Sequence, residues 1–242
     1  MLKALLTLEL TAMVVIITMA VNSLSKYNNA RVLYEDYKNQ NSVEGIECKD
    51  SAAFELSNDS EKFNSIWDNI DVRVRYWITI DGTAINYPVM QGEDNQYYLT
   101  HAFDDSECIS GSIFLDSRCY DSDRFMLIYG HNMKDGSMFH ELKNYQNDNF
   151  ALEHNTICIA NRYGTVEEYS VIACLIVDAD SDFISYKKLS GGLTTILAKV
   201  PKYNVLTIPQ PVISDIDKIL ILSTCIGGQE PNKRCVVYAV RK

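Results

Sequence analysis

Three side chains of this 242-residue chain can together break and remake an acyl bond: a thiol, an imidazole and a guanidinium. Cys225 closes an apolar run, Ile219-Leu220-Ile221-Leu222, after Ser223 and Thr224. A turn containing Gly, Pro and Asn follows, and Arg234 opens the next apolar run, residues 235–240. As strands, the two runs form a hairpin whose mouth sets the thiol opposite the guanidinium. His131 ends the run Phe125-Met126-Leu127-Ile128-Tyr129-Gly130 in the same way. A thiolate attacks a carbonyl, an imidazole passes protons to and from amines, and a fixed cation offsets a developing oxyanion. Each also has a structural reading: a strand-end cysteine packed as a small hydrophobe, a packing histidine, a solvated arginine. His101, His140 and His154 are given that structural reading.

The elements that must hold these residues are mostly short strands. Trp77-Ile78-Thr79-Ile80, Asp81-Gly82 and residues 83–89 read as a hairpin with an Asp-Gly turn. Further strands are expected at 111–115, 125–129, 156–160 and 167–177, with a closing pair at 218–224 and 234–240. About eight strands suit a closed or nearly closed barrel. Helical signals fall at 30–40, at 135–145 directly after His131, and at 192–200 within a long insertion, 178–210. Phe63, Ile66, Trp67 and Ile70 recur at i, i+3, i+4 and i+7, one face of an amphipathic helix.

Composition narrows the function. A hydrophobic fraction of 47% fits a globular chain, and a net charge of −10 argues against nucleic acid as the main partner. Residues 4–21 (ALLTLELTAMVVIITMAV) approach the length of a membrane span, although Glu9 and three threonines dilute them. A signal peptide would need a small-residue cleavage site, and only Val21-Asn22-Ser23 is near one, so an uncleaved signal-anchor is the expectation. Lys3 precedes the stretch and Lys26 and Arg31 follow it, which leaves orientation open on charge alone. Of seven cysteines none forms CxxC, and no Cys/His spacing resembles a metal site, so no metal is expected. Cys158, Cys174 and Cys235 lie inside strand-like runs as expected buried thiols, whereas Cys108 and Cys119 flank residues 111–116 with their pairing undecided.

Taken together, Leu222-Ser223-Thr224-Cys225 followed by Arg234 resembles the signature of sortases, the cysteine transpeptidases of Gram-positive cell surfaces. Tyr129-Gly130-His131-Asn132-Met133 with Asp135-Gly136-Ser137-Met138-Phe139 is similar to the histidine segment of class B sortases in particular. So are Ile85-Asn86-Tyr87-Pro88-Val89-Met90-Gln91, Asp94-Asn95-Gln96-Tyr97-Tyr98-Leu99 and Gly111-Ser112-Ile113-Phe114-Leu115-Asp116, all in the family's order. The resemblance implies a mainly β fold: an eight-stranded sortase-type barrel with N-terminal helices and a helix-bearing insertion between strands 6 and 7. The expected division is a signal-anchor at 1–24, an extracellular stalk or helical segment at 25–62, and the catalytic domain at 63–242.

By the same resemblance Cys225 is the nucleophile, His131 the acid/base and Arg234 the oxyanion stabiliser. Asn95, Leu99, Tyr129 and Ser223 are the expected lining of the sorting-signal groove. The implied reaction cleaves a C-terminal motif of the Asn-Pro-x-Thr-Asn/Gly kind after Thr. It passes through a thioester to an amine of a peptidoglycan precursor, attaching a surface protein to the wall. No cofactor and no nucleic acid are implied, and the enzyme sits outside the cell on a single membrane span. Two rivals remain: a membrane-tethered cysteine endopeptidase whose thioester is resolved by water, and an inactive sortase-like binding module.

Overall fold

The computed structural model describes residues 2–40, 73–163, 165–209, 213–214, 217–228 and 230–242, without the side chains of 2–8, 10, 27 and 40. Its centre is a closed barrel of eight strands: β1 (Val74–Thr79), β2 (Asn86–Met90), β3 (Ile113–Leu115), β4 (Phe125–Tyr129), β5 (Thr156–Asn161), β6 (Val166–Asp178), β7 (Ile219–Gly227) and β8 (Glu230–Arg241). Around the barrel the order is β1-β2-β3-β4-β7-β8-β6-β5. The β2–β3 and β4–β7 pairs are parallel, and the other pairs are antiparallel.

Burial explains why β4 and β7 read as unbroken apolar runs. Leu127, Ile128, Ile219, Leu220, Ile221 and Leu222 are all fully buried, so both faces of these strands are covered. β1 and β2 form the expected antiparallel hairpin. Its turn spans Ile80 to Ile85, closed by the Ile80 N–H on the Ile85 carbonyl at 3.0 Å, with Gly82 at a φ of +74°.

The insertion between β6 and β7 carries α3 (Tyr186–Leu197) and α4 (Val200–Tyr203); α1 is Leu2–Gln40 and α2 is Asp148–Glu153. Two helical expectations are corrected. The 192–200 helix starts at Tyr186, because the chain continues through Gly192 with a kink, φ 179° and ψ 55°, instead of starting there. The 135–145 segment is not one helix; only His140–Gln146 winds, as a 3-10 helix. Asp135 Oδ1 accepts from the Ser137 N–H and hydroxyl, and Gly136 and Met138 take positive φ, so the segment opens as a turn. The 63–70 amphipathic helix lies outside the described residues.

α1 has two unlike parts. Near its C-terminal end, Ala30 and Tyr34 are buried against the barrel. The Tyr34 hydroxyl lies 2.7 Å from the Gly111 carbonyl, and its ring meets Tyr87 and Phe103 edge-on. Nearer the N-terminus Met13, Val14, Val15, Ile16, Ile17 and Met19 are exposed. Among the described residues, no helix is long and apolar enough to cross a membrane.

Cys108 and Cys119 are both free, which settles their pairing, as are Cys174 and Cys235. Cys158 is disulfide-bonded, a correction to its reading as a free thiol.

Candidate active site

Strand register builds the site. In the β7–β8 pair Cys225 stands directly opposite Arg234, a separation of about 5 Å between Cβ atoms for such partners. In the parallel β4–β7 pair Tyr129 stands beside Ser223. Two residues further along each chain lie His131 and Cys225, so the two strands run out of the barrel side by side and deliver imidazole and thiol to one place.

Backbone and side-chain hydrogen bonds then fasten the two strand ends together. The Gly130 N–H donates to the Ser223 carbonyl at 3.2 Å, and the Thr224 hydroxyl donates to the Gly130 carbonyl at 2.8 Å. Asn132 Nδ2 donates to the carbonyls of Cys225 and Ile226 at 2.8 and 2.9 Å. His131 Nε2 lies 2.8 Å from the Leu99 carbonyl. A carbonyl only accepts, so Nε2 carries the proton and Nδ1 is the nitrogen left for chemistry. Arg234 Nη1 donates to the carbonyls of Pro231 and Lys233 at 2.9 and 3.1 Å, which holds the guanidinium beside its own strand.

Two glycines permit this closeness. A Cβ on Gly130 would lie 2.4 Å from Ile113 Cδ1 and 2.8 Å from Phe139 Cδ2, both in fully buried side chains. Gly130→Ala should therefore destabilise the fold by about 1–3 kcal/mol through overpacking, read as a lower urea midpoint at unchanged slope. Gly111, at φ +55°, would set a Cβ 2.4 Å from the Tyr98 carbonyl, and so it lets the Tyr98–Leu99 backbone sit where Leu99 can reach His131.

Cys225, His131 and Arg234 open onto one cleft of about 250 Å³, and Asn95, Leu99, Tyr129 and Ser223 line the same cleft. Every residue singled out in the sequence is thus brought together. Ala179 and Ile184, which the sequence did not single out, join them from the insertion. Among the free cysteines of the described residues Cys225 alone is not buried. Burial pushes the Cys119 thiol up to about 12, and contact with Cys174 together with burial raises that of Cys235. The remaining histidines lie outside the cleft lining: His101 stacks on Tyr97 at 4.0 Å, and His154 Nδ1 bonds the Asp81 carbonyl at 2.8 Å.

Behind the cleft wall lies the carboxylate of Asp116, the last residue of the 111–116 motif. Asp116 is fully buried, and Arg118 pairs with both of its oxygens, at 2.9 and 2.7 Å. Burial alone would raise this carboxyl. The Arg118 guanidinium, the Arg118 N–H and the Tyr129 hydroxyl outweigh it and hold Asp116 below the usual carboxylate range. Burial and the Asp116 charge together raise the Tyr129 phenol, which therefore stays protonated and donates.

Comparison with known proteins covers most of the chain. A family model described as the sortase domain matches residues 78–242. Sortase B of Listeria monocytogenes is 31% identical over 219 residues, covering 87% of this chain and 87% of that protein. The Staphylococcus aureus sortase B–substrate complex superposes with a TM-score of 0.72 at 25% identity, covering 90% of this chain and 98% of the other. Clostridium perfringens sortase B gives a TM-score of 0.66 at 30% identity, covering 76% of this chain and all (100%) of the other. A closed eight-stranded barrel, a cleft at the ends of β4, β7 and β8, and these likenesses place the chain in the sortase family, as a class B sortase and hence a cysteine transpeptidase.

Proposed function

We propose that this enzyme cleaves a C-terminal sorting motif of the Asn-Pro-x-Thr-Asn/Gly kind after Thr and transfers the protein to a cell-wall amine. The Cys225 thiol passes its proton to His131 as its sulfur bonds to the threonine carbonyl carbon, and the scissile C–N bond breaks as His131 hands that proton to the leaving amine. An amine of a peptidoglycan precursor then attacks the thioester, its proton passes to His131, and the C–S bond breaks. Cys225 facing Arg234 across β7 and β8, in one cleft with His131, is the observation that carries this assignment. The S. aureus relative whose structure holds a substrate supports it by likeness of fold.

Arg234 serves the oxyanion of both tetrahedral intermediates. Arg234→Met should lower kcat by about 10²–10³, the usual cost of losing such a donor. Arg234→Lys should recover little, because a point charge does not reproduce a planar fork of donors. Steady-state kinetics on a quenched peptide reads both. A Lys variant with wild-type kcat would reduce Arg234 to a general positive charge.

The chain acts from the membrane, held by residues 4–21 with the barrel outside the cell. The exposed apolar side chains of α1 support that placement. So does the Thr18 hydroxyl, which lies 3.0 and 2.8 Å from the Val14 and Val15 carbonyls and so turns its polarity back onto the helix. The deciding experiment presents the full chain, in detergent, with quenched Asn-Pro-x-Thr-Asn/Gly, Ser-Pro-x-Thr-Gly and Leu-Pro-x-Thr-Gly peptides, with and without an amine. Mass spectrometry should find cleavage after Thr and an amine-dependent ligation product. Hydrolysis indifferent to amine would instead mark an endopeptidase.

A further inference from the structure

Asp116 lies fully buried behind the cleft wall, and its carboxylate receives five hydrogen bonds. Oδ1 accepts from the Arg118 N–H at 3.0 Å and Nε at 2.9 Å. Oδ2 accepts from Arg118 Nη2 at 2.7 Å, Asn95 Nδ2 at 2.9 Å and the Tyr129 hydroxyl at 3.0 Å. The Asn95 carbonyl oxygen in turn accepts from the Ser117 N–H at 2.8 Å, so the orientation of that amide is fixed. Asn95 and Tyr129 both line the cleft. The polarity of each is set by what Asp116 takes from it. A hydroxyl that already donates has only lone pairs left, and an amide nitrogen that donates once has one N–H left.

We infer that Asp116 is a positioning residue for peptide recognition: it holds Tyr129 as an acceptor and Asn95 as a donor, side by side, to receive an amide group of the sorting peptide. The inference rests on the assignment of this cleft as the sorting-signal groove. An amide supplies the complementary pair, an N–H for the Tyr129 oxygen and a C=O for the Asn95 N–H. That amide is either the side-chain carboxamide of the motif's first residue or a peptide unit of its backbone. Asp116 makes none of the bonds at Cys225, whose carbonyl is held by Asn132, so its loss should spare the thiol.

The test is Asp116→Asn in the full chain in detergent, with the peptide the wild type cleaves best and its first-position Ala analogue. The substitution keeps the shape of the side chain but turns one acceptor oxygen into a donor that faces other donors. KM should rise about tenfold, the worth of one or two hydrogen bonds, while kcat and the rate of Cys225 alkylation by a small iodoacetamide change less than about twofold. Loss of discrimination between parent and Ala peptides identifies the side-chain carboxamide as the bound group; a KM rise equal for both identifies the backbone. An unchanged KM, or a parallel fall in kcat and alkylation, overturns the inference. Should Asp116→Asn fail to fold, Arg118→Gln is judged by the same criteria, since the Arg118 side chain is 52% exposed and supplies two of the five bonds that hold the Asp116 carboxylate in place. A wild type that cleaves no peptide while Cys225 remains reactive refutes the groove assignment itself.

Discussion

Cys225→Ala is expected to abolish turnover, a fall on the order of 10⁶ in kcat as for other acyl-transfer nucleophiles, while leaving peptide affinity within a few-fold. The two effects separate because different parts of the cleft produce them. The residue's backbone belongs to the β7–β8 ladder, and its carbonyl is held by Asn132 at 2.8 Å, so trimming the side chain leaves the strand in place. Asn95, Leu99, Tyr129 and Ser223 are untouched. No other free thiol of the described residues can substitute, because Cys108, Cys119, Cys174 and Cys235 are all buried. Fluorescence anisotropy of a labelled sorting peptide measures binding, and mass spectrometry of the protein detects a thioester in the wild type alone. Residual cleavage well above background in the variant would place the nucleophile elsewhere. A wild-type thiol inert to alkylation would favour a tethered binding module.

The strands could be located in the sequence because barrel closure leaves a strong imprint on it. β4 and β7 are covered on both faces and so carry continuous apolar runs, and the β1–β2 turn carries Asp-Gly. Helices fared worse where local turn chemistry competed with periodicity. Leu189, Leu193, Ile196 and Leu197 mark the buried face of α3 at i, i+4, i+7 and i+8, yet the Gly191-Gly192 pair within that spacing suggests a boundary. The packing of α1 left no local signal either. Tyr34 meets Gly111 and Ser112, 77 and 78 residues away, and only the closed barrel brings them within reach.

The same distinction separates the chemical residues from those that orient them. Cys225 and His131 sit near the ends of β7 and β4, and Arg234 in the first half of β8 opposite Cys225, where residue type and position together carry meaning. Asp116 looks like the end of a strand until β3–β4 pairing brings Tyr129 to it and the loop before the 3-10 turn at Tyr97–Leu99 brings Asn95. Asn132 sits next to the histidine, but its target carbonyls are 93 and 94 residues further on. A positioning role is a relation between distant segments, so it becomes visible only once the fold joins them.

His131→Ala is expected to lower kcat/KM on a peptide substrate by about 10²–10⁴, the usual range for losing a general acid/base. The loss should depend on the leaving group. An amine departs only when protonated, whereas an alcohol needs that proton less, so the ester analogue of the same peptide should lose appreciably less. The hydrogen bond from Nε2 to the Leu99 carbonyl refines the prediction. In His131→Gln the amide nitrogen can still donate toward Leu99, but nothing replaces Nδ1. That variant should keep the stability that the Leu99 contact provides and still be as slow as His131→Ala on the peptide. Positioning and proton transfer are thereby separated: urea midpoints report the first, and the ratio of ester to amide turnover reports the second. If Gln restored amide turnover, Nδ1 would not be the working nitrogen. Equal losses on ester and amide would move the role of His131 from protonating the leaving group to activating the Cys225 thiol, a step both substrates share.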